Sequence, residues 1–314
     1  MAGSLSRPSM VMQAQLYSLS WRSLMNGWPP QPDGHDEEVV MVIETRRILL
    51  HGAAVEMSCE GDQLIAQDGR KIAADQAQHL PPVTPSKIIC AHLNFRNRLE
   101  ELKAVCPPAP NYFIKPPSCL IGHKAAVIRP KGCKYLNYEG EVAIVIGRSA
   151  RNITIAEAES YIAGYSLCND YALHDFRDAD RGSMLRVKGA DTLGVLGPGL
   201  VRGWKPAGQM LRTYVNGKVV QESSLEGMIW SMSYLVADLA RMMTLLPGDV
   251  IMSGTPANSR PVQPGDKVVV TCDGLGALEN AIIEGSHTIS DEAGWMPSAS
   301  EKVLGVALGE QLRE

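Results

Sequence analysis

The chain has 314 residues, of which 45% are hydrophobic and 20% charged, with a formal net charge of -4. This composition is ordinary for a globular enzyme, and with no Lys/Arg block to track a phosphate backbone it argues against nucleic-acid binding. The seven cysteines are scattered, odd in number and without a C-x-x-C pair, which fits reduced thiols in a cytoplasm rather than a disulfide frame or zinc site.

Arg7, Trp21, Arg22 and Asn26 interrupt the N-terminal stretch, so it lacks the apolar run of roughly 7–15 residues that a signal peptide needs. No apolar run of about 18 residues occurs elsewhere. A cytoplasmic chain with a flexible start and no membrane partner is expected. Residues 36–78 alternate short apolar runs with turn signals. Val39 to Ile43 reads as a strand, and Asp68-Gly69 reads as a two-residue type I′ turn between Leu64–Gln67 and Arg70–Ile72. His79-Leu80-Pro81-Pro82-Val83-Thr84-Pro85 is a Pro-rich linker. It sets a small β-rich module over residues 1–84 apart from a catalytic domain over 85–285.

Lys87 to Ala91 reads as a strand, followed by the polar segment Asn94–Glu101, a short helix or loop. Tyr112 to Pro117 is a short strand ended by prolines. Asn137-Tyr138-Glu139-Gly140-Glu141 then leads into Val142-Ala143-Ile144-Val145-Ile146-Gly147, an unbroken β-branched run that reads as a buried strand. Thr154-Ile155-Ala156-Glu157 is a capping box that predicts a helix to about Ile162. Gly164 to Cys168 is a strand leading to Asn169-Asp170. Leu211 to Val215 and Lys218 to Val220 flank Asn216-Gly217, a second hairpin turn. Ser231 caps a helix with Leu235, Val236, Leu239 and Met243 on its apolar face. Pro247-Gly248-Asp249 and Pro264-Gly265-Asp266 read as twin turns punctuating β-hairpins. Residues 286–314 form a polar C-terminal extension with one helix. The pattern is mainly β with α (α+β), without the βαβ alternation of a dinucleotide fold.

Glu139 and Glu141, two apart on a strand, face the same side about 7 Å from each other. Two like charges entering a core are costly unless a cation lies between them. A solvated strand end with a Gly turn explains the pair equally well on spacing alone. No G-x-S-x-G elbow, H-E-x-x-H or P-loop is present, and the seven histidines never pair at ligand spacing. Oxygen ligands therefore favour Mg²⁺ or Mn²⁺ over Zn²⁺. Asp170, at the end of a predicted strand, is the natural third carboxylate.

Tyr138-Glu139-Gly140-Glu141 with its apolar strand, Gly164-Tyr165, Asn169-Asp170, Lys188, and Pro247-Gly248-Asp249 with Ser253-Gly254-Thr255-Pro256 together resemble the fumarylacetoacetate hydrolase family over about residues 87–285. Cys168-Asn169-Asp170-Tyr171-Ala172, Leu185-Arg186-Val187-Lys188 and Leu211-Arg212-Thr213-Tyr214-Val215 are most similar to its homoprotocatechuate-pathway decarboxylases and isomerases. The resemblance implies a β-roll catalytic domain, usually a homodimer, with Mg²⁺ or Mn²⁺ held by Glu139, Glu141 and Asp170. Lys188 would stand beside the metal and hold an oxyanion; otherwise it is a surface lysine. Thr255 matches a substrate-touching position, or is simply a turn residue. Arg177 stands where relatives contact substrate, or on a solvated loop.

One departure stands out. Relatives carry a lid His followed by a Glu, whereas here Arg98 takes the histidine position and Glu101 survives. Arginine stays charged and cannot act as a general base, so Arg98 is read as a substrate contact and Glu101 as the remaining catalytic group. His92 and His123 are possible spatial substitutes for the lost base. The implied activity is metal-dependent decarboxylation or isomerisation of an unsaturated 2-oxo di- or tricarboxylate from aromatic breakdown. In such reactions the cation acts as a Lewis acid on an enolate. The alternatives are a hydrolase or hydratase of acylpyruvate-like bonds, and a non-catalytic metal-binding member of the family.

Overall fold

The computed structural model describes residues 41–309. The expected flexible start, the beginning of the strand predicted from Val39 and the last five residues lie outside the described residues. In chain order the strands β1 (Ile43–Leu50), β2 (Ala53–Glu60), β3 (Gln63–Ile65), β4 (Lys71–Ala73) and β5 (Gln78–Leu80) come first. Next are β6 (Ile88–His92), helix α1 (Arg96–Glu101), β7 (Asn111–Lys115), β8 (Leu120–Ile121), β9 (Val127–Lys131), β10 (Leu136–Asn137), β11 (Gly140–Ile146), β12 (Ile162–Asp170) and β13 (Ala172–Leu173). Two single-turn helices, α2 (Arg177–Asp180) and α3 (Leu185–Lys188), precede β14 (Gly194–Arg202), β15 (Met210–Val215) and β16 (Lys218–Ser224). Helix α4 (Met232–Met242), β17 (Val250–Met252), β18 (Lys267–Cys272), β19 (Gly276–Thr288) and helix α5 (Glu301–Ala307) complete the order.

Among the described residues these strands form three sheets. A twelve-stranded sheet runs β4-β3-β2-β1-β14-β12-β11-β17-β6-β7, with β5 on β1 and β8 on β14. A five-stranded sheet runs β16-β15-β18-β19-β9, and β10 pairs with β13. The architecture is the strand-rich α+β class that the sequence pattern predicts. The Pro-rich passage after β5 connects strands of one sheet: β1 pairs antiparallel with β14, and β6 pairs parallel with β17.

The centre of the large sheet explains its own sequence. Every residue of β11 is buried. Val142, Ile144 and Ile146 enter a core shared with Leu211, Val268, Val270 and Leu278 of the five-stranded sheet. Ala143 and Val145 enter a second core with Ile88, Cys90, Cys168, Val250 and Met252. A strand covered on both faces needs a continuous apolar run rather than an alternating one. Burial contributes about 1.5–3 kcal/mol per large aliphatic side chain, which lets this strand carry carboxylates inside at its start. Gly140 is the point where the five-stranded sheet comes closest. A Cβ there would collide with Thr213 Oγ1 and lie 3.1 Å from Val270 Cγ2.

Several local expectations change. The Asp68-Gly69 hairpin forms, but as a longer loop in which Ala66 N donates to Arg70 O and only Gly69 is left-handed. Asp68 does not adopt the positive φ that type I′ needs. Asn216 and Gly217 are both left-handed and join β15 to β16 directly, as a type I′ turn requires. The capping box is real: Thr154 N donates to Glu157 Oε2 at 2.8 Å and Glu157 N to Thr154 Oγ1 at 3.3 Å. Only one 3₁₀ turn follows it, because Ile162 is already paired with Ile146 in the sheet. Neither Pro-Gly-Asp turn closes a hairpin: the first leads from α4 into β17 of the large sheet, the second into β18 of the small one. Ser231 caps α4 as expected, its Oγ accepting from Tyr234 N at 3.2 Å. All seven cysteines are unpaired, and among the described residues no helix is long and apolar enough to cross a membrane.

Candidate metal centre and its cleft

Antiparallel pairing of β11 with β12 sets Glu141 opposite Cys168 and Gly140 opposite Asn169. Opposed residues in such a pair share a face, so Glu141 and Asp170 emerge on the face of Ala143 and Cys168. Glu139, just before β11, is held in line by Asp170 N donating to its carbonyl at 2.9 Å and by its own amide donating to Asn169 Oδ1 at 2.7 Å. One carboxylate oxygen from each of Glu139, Glu141 and Asp170 lies within 4.8 Å of the others, and all three residues are buried. The intervening Gly140 is the close-approach position on the opposite face.

Two ammonium groups serve these three carboxylates. Lys188, at the end of α3 and 2% exposed, donates to Glu139 Oε2 at 2.6 Å and to Asp170 Oδ2 at 2.8 Å. Lys115, at the end of β7 and 0% exposed, donates to Asp170 Oδ1 at 2.6 Å and to Tyr171 O at 3.2 Å. Among the described residues Glu141 meets neither lysine, and its Oε2 accepts only from Gly254 N, at 2.7 Å. Burial disfavours the charge on Lys188, but Asp170 and Glu139 outweigh that and hold its pKa above the ordinary value. Burial also raises Asp170, yet Lys115 and Lys188 bring it below the usual carboxylate range. Glu141 goes the other way: burial, Asp170 and Glu139 push it well up.

The charge count thus leaves one buried negative charge over, on the residue without a cation. Glu139 Oε1 and Glu141 Oε1 take no part in these hydrogen bonds. A divalent cation fits this donor set, because it would supply the missing charge and accept hard oxygen ligands. Glu139, Glu141 and Asp170 would hold it.

The carboxylates lie in a cleft that opens to solvent. Lys188, Arg177, Arg98, Thr255, His92 and His174 also line it. The structure therefore gathers every sequence-predicted site residue into this cleft except Glu101. That carboxylate is tied by Arg98 Nη1 and by Arg260 Nη2, each at 2.6 Å, and by Asn258 N at 3.0 Å. Burial tends to raise its pKa, but Arg98 with these hydrogen bonds brings it below the usual range. Of the two proposed substitute histidines, His92 lines the cleft, where burial and then Arg177, Lys188 and Arg98 push its pKa to about 4. His123 lies elsewhere, its ring 4.9 Å from that of His79 and its Nδ1 accepting from Glu279 N.

Thr255 Oγ1 donates to Gly140 O at 3.1 Å and accepts from Gln221 Nε2 at 3.0 Å. Buried Gln221 also donates to Pro256 O and Ala257 O and accepts from Gly140 N, so it ties this turn to the carboxylate strand. Asn94 fastens the same turn from the other side, donating to Ser253 O at 2.8 Å.

Four residues escape a reading of the sequence. Lys115 looks like a solvated lysine before a Pro-Pro stop, although its parity with Phe113 on β7 is a usable signal. His174 is 1% exposed and neither ring nitrogen has a hydrogen-bond partner among the described residues, but in sequence it is one more isolated histidine. Gln221 and Met184 carry no local signal at all.

The family model described as Fumarylacetoacetate (FAA) hydrolase C-terminal matches residues 87–283. A 4-hydroxyphenylacetate degradation bifunctional isomerase/decarboxylase of Salmonella dublin is 37% identical over 223 residues, 70% of this chain and 52% of that protein. The chain thus spans about half the length of this relative. Among solved structures, a 5-carboxymethyl-2-hydroxymuconate delta-isomerase from Mycobacterium smegmatis aligns with a TM-score of 0.71 at 34% identity, covering 78% of this chain and all of its own. A 2-hydroxyhepta-2,4-diene-1,7-dioate isomerase from Mycobacterium marinum aligns with a TM-score of 0.71 at 32% identity, with the same coverage.

Proposed function

The chain belongs to the fumarylacetoacetate hydrolase family, and from that premise we propose that it is a divalent-metal-dependent decarboxylase or isomerase of an unsaturated 2-oxo (2-hydroxydienoic) di- or tricarboxylate in aromatic-compound catabolism. The observation that carries the proposal is the charge pattern of the cleft: Glu139, Glu141 and Asp170 within 4.8 Å, two lysines among them, and Glu141 left without a cation. Bound there, Mg²⁺ or Mn²⁺ would supply Lewis acidity toward the keto and carboxylate oxygens of a 2-oxo acid.

The protein's own groups do the rest. Lys188, kept charged by its two carboxylates, offers a proton donor beside any oxyanion that develops. Arg177 and Arg98 line the same cleft and can hold a second substrate carboxylate. His92, neutral at pH 7, can carry a proton to or from substrate carbon. A cytoplasmic homodimer acting on a small molecule is part of this proposal.

The hydrolytic reading finds less support. Glu101, the group that would have to activate water, is already held by Arg98, Arg260 and Asn258 N. The non-catalytic reading leaves unexplained a cleft lined by neutral His92 and His174 together with Arg177.

The test is a chelator-and-add-back assay on the purified full chain with oxaloacetate and unsaturated 2-oxo dicarboxylates, following enol absorbance and CO₂ together. Metal-dependent CO₂ release supports decarboxylation. Loss of substrate absorbance without CO₂ supports isomerisation if the product has the same mass, hydration if a single product has gained water, and hydrolysis if two smaller products appear whose masses sum to substrate plus water. Absence of any turnover with metal bound would overturn the proposal.

A further inference from the structure

The segment after β19 lies beyond residue 283, where the family match ends, and it returns to the cleft. Ser298 anchors it: its amide donates to Asp175 O at 2.9 Å and its hydroxyl to Asp178 Oδ2 at 2.8 Å. Ser300 then caps α5, its Oγ accepting from Val303 N at 3.2 Å. Val303 and Ala307 are fully buried, and Ala307 O accepts from Asn137 Nδ2 at 2.9 Å. That last bond fastens α5 two residues upstream of Glu139. The partly buried Val306 is thereby brought to line the cleft with Leu102, just after α1, and Met184, just before α3.

We infer that Val306 is a specificity-determining residue. With Leu102 and Met184 it forms an apolar wall, built from three segments distant in sequence, for the carbon chain of a 2-oxo acid. The inference rests on the proposed function, which puts the head of that acid at the carboxylate triad. The polar lining suits the head; hydrocarbon is what an aliphatic wall can select. Each methylene taken from water against such a wall is worth roughly fourfold in affinity.

The test is calorimetric binding to the full chain with Mn²⁺, using oxalate as the head alone and 2-oxohexanoate as head plus tail. Val306→Phe, which fills the space, should weaken 2-oxohexanoate by about tenfold or more while oxalate stays within about twofold. Val306→Ala adds no bulk that could disturb folding, and should weaken the longer acid by roughly fourfold with oxalate again unmoved. Equal weakening of both ligands, or of neither, overturns the inference alone. Failure of oxalate to bind the wild-type protein overturns the metal-centre reading and the inference with it.

Discussion

Glu141→Gln tests the charge pattern most directly. Glutamine keeps the shape of glutamate, and its amide oxygen can accept the same Gly254 N–H, so the geometry at 2.7 Å need not change. In the presence of chelator the substitution removes a buried charge that no lysine offsets. The variant should therefore be as stable as the wild type within about 1 kcal/mol, or more stable. The pH dependence follows from the same count. The folded-state pKa of Glu141 lies above its unfolded value, so the native state binds the proton more readily. The metal-free wild type is then stabilised by acid through this group and loses that contribution as pH rises above the ordinary carboxylate range, a loss the variant lacks. Metal reverses the order. At a hundredfold excess of Mn²⁺ over its dissociation constant, linkage stabilises the wild type by about 2.7 kcal/mol. In a chain of this size that is a rise in Tm of roughly 5 °C, and the variant should show none. Thermal unfolding by circular dichroism, in EDTA and in Mn²⁺, reads all of this. A variant several kcal/mol less stable in EDTA would refute the charge count, and an undiminished Mn²⁺ shift would remove Glu141 from the donor set.

Lys115→Met leaves Asp170 with Lys188 alone, and breaking a buried pair from one side should cost about 3–5 kcal/mol in EDTA by urea unfolding. The loss should shrink when Mn²⁺ is added; a loss equal in both conditions would mean that Lys115 supports packing rather than charge. Gly140→Ala drives a methyl group against Thr213 and should cost about 1–3 kcal/mol. Among the described residues Thr213 Oγ1 has no hydrogen-bond partner, so Thr213→Ala should be mild, and the double variant should recover most of the loss in a double-mutant cycle. Strict additivity would place the strain elsewhere. His123 is held neutral, chiefly by burial and then by His79 and nearby cations, with its pKa lowered from 6.5 to about 3. Because the folded pKa is the lower one, stability from this group is complete above pH about 6.5 and declines as pH falls toward the folded value, by up to about 1.4 kcal/mol per unit. His123→Asn keeps an acceptor for Glu279 N and should flatten that acid slope by one proton's worth in pH-dependent urea unfolding; an unchanged slope would show that His123 does not titrate.

The strand that begins at Gly140 was legible in the sequence because a β-branched run after paired carboxylates has few other uses. Asp170 follows from its place at the end of a predicted strand, while Lys188, Thr255, Arg177 and Arg98 came with the resemblance, and all five line the cleft. What escaped was set by contacts between distant segments. Lys115 is defined by Asp170, 55 residues away, and Gln221 by Gly140, 81 residues away; neither partner leaves a mark on the local pattern. The box at Thr154 failed differently, since its capping hydrogen bonds formed as read and the pairing of Ile162 with Ile146 then ended the helix after one turn. The catalytic part of Glu101 rests on position alone, and Arg260 and Asn258, far along the chain, join Arg98 in fixing where its carboxylate goes.

The burial of β11 on both faces bears on the order in which this protein comes apart. Amides in the middle of a sheet, between two cores, exchange with solvent only when the whole domain opens, whereas short peripheral helices open on their own. The three carboxylates sit at the ends of β11 and β12, so their arrangement shares the protection of the most slowly exchanging amides. Their geometry should therefore persist until global unfolding, and release of a bound cation under denaturant should coincide with the cooperative transition. The short α1 and α5, which carry Arg98 and Val306, should open before the floor of the cleft does.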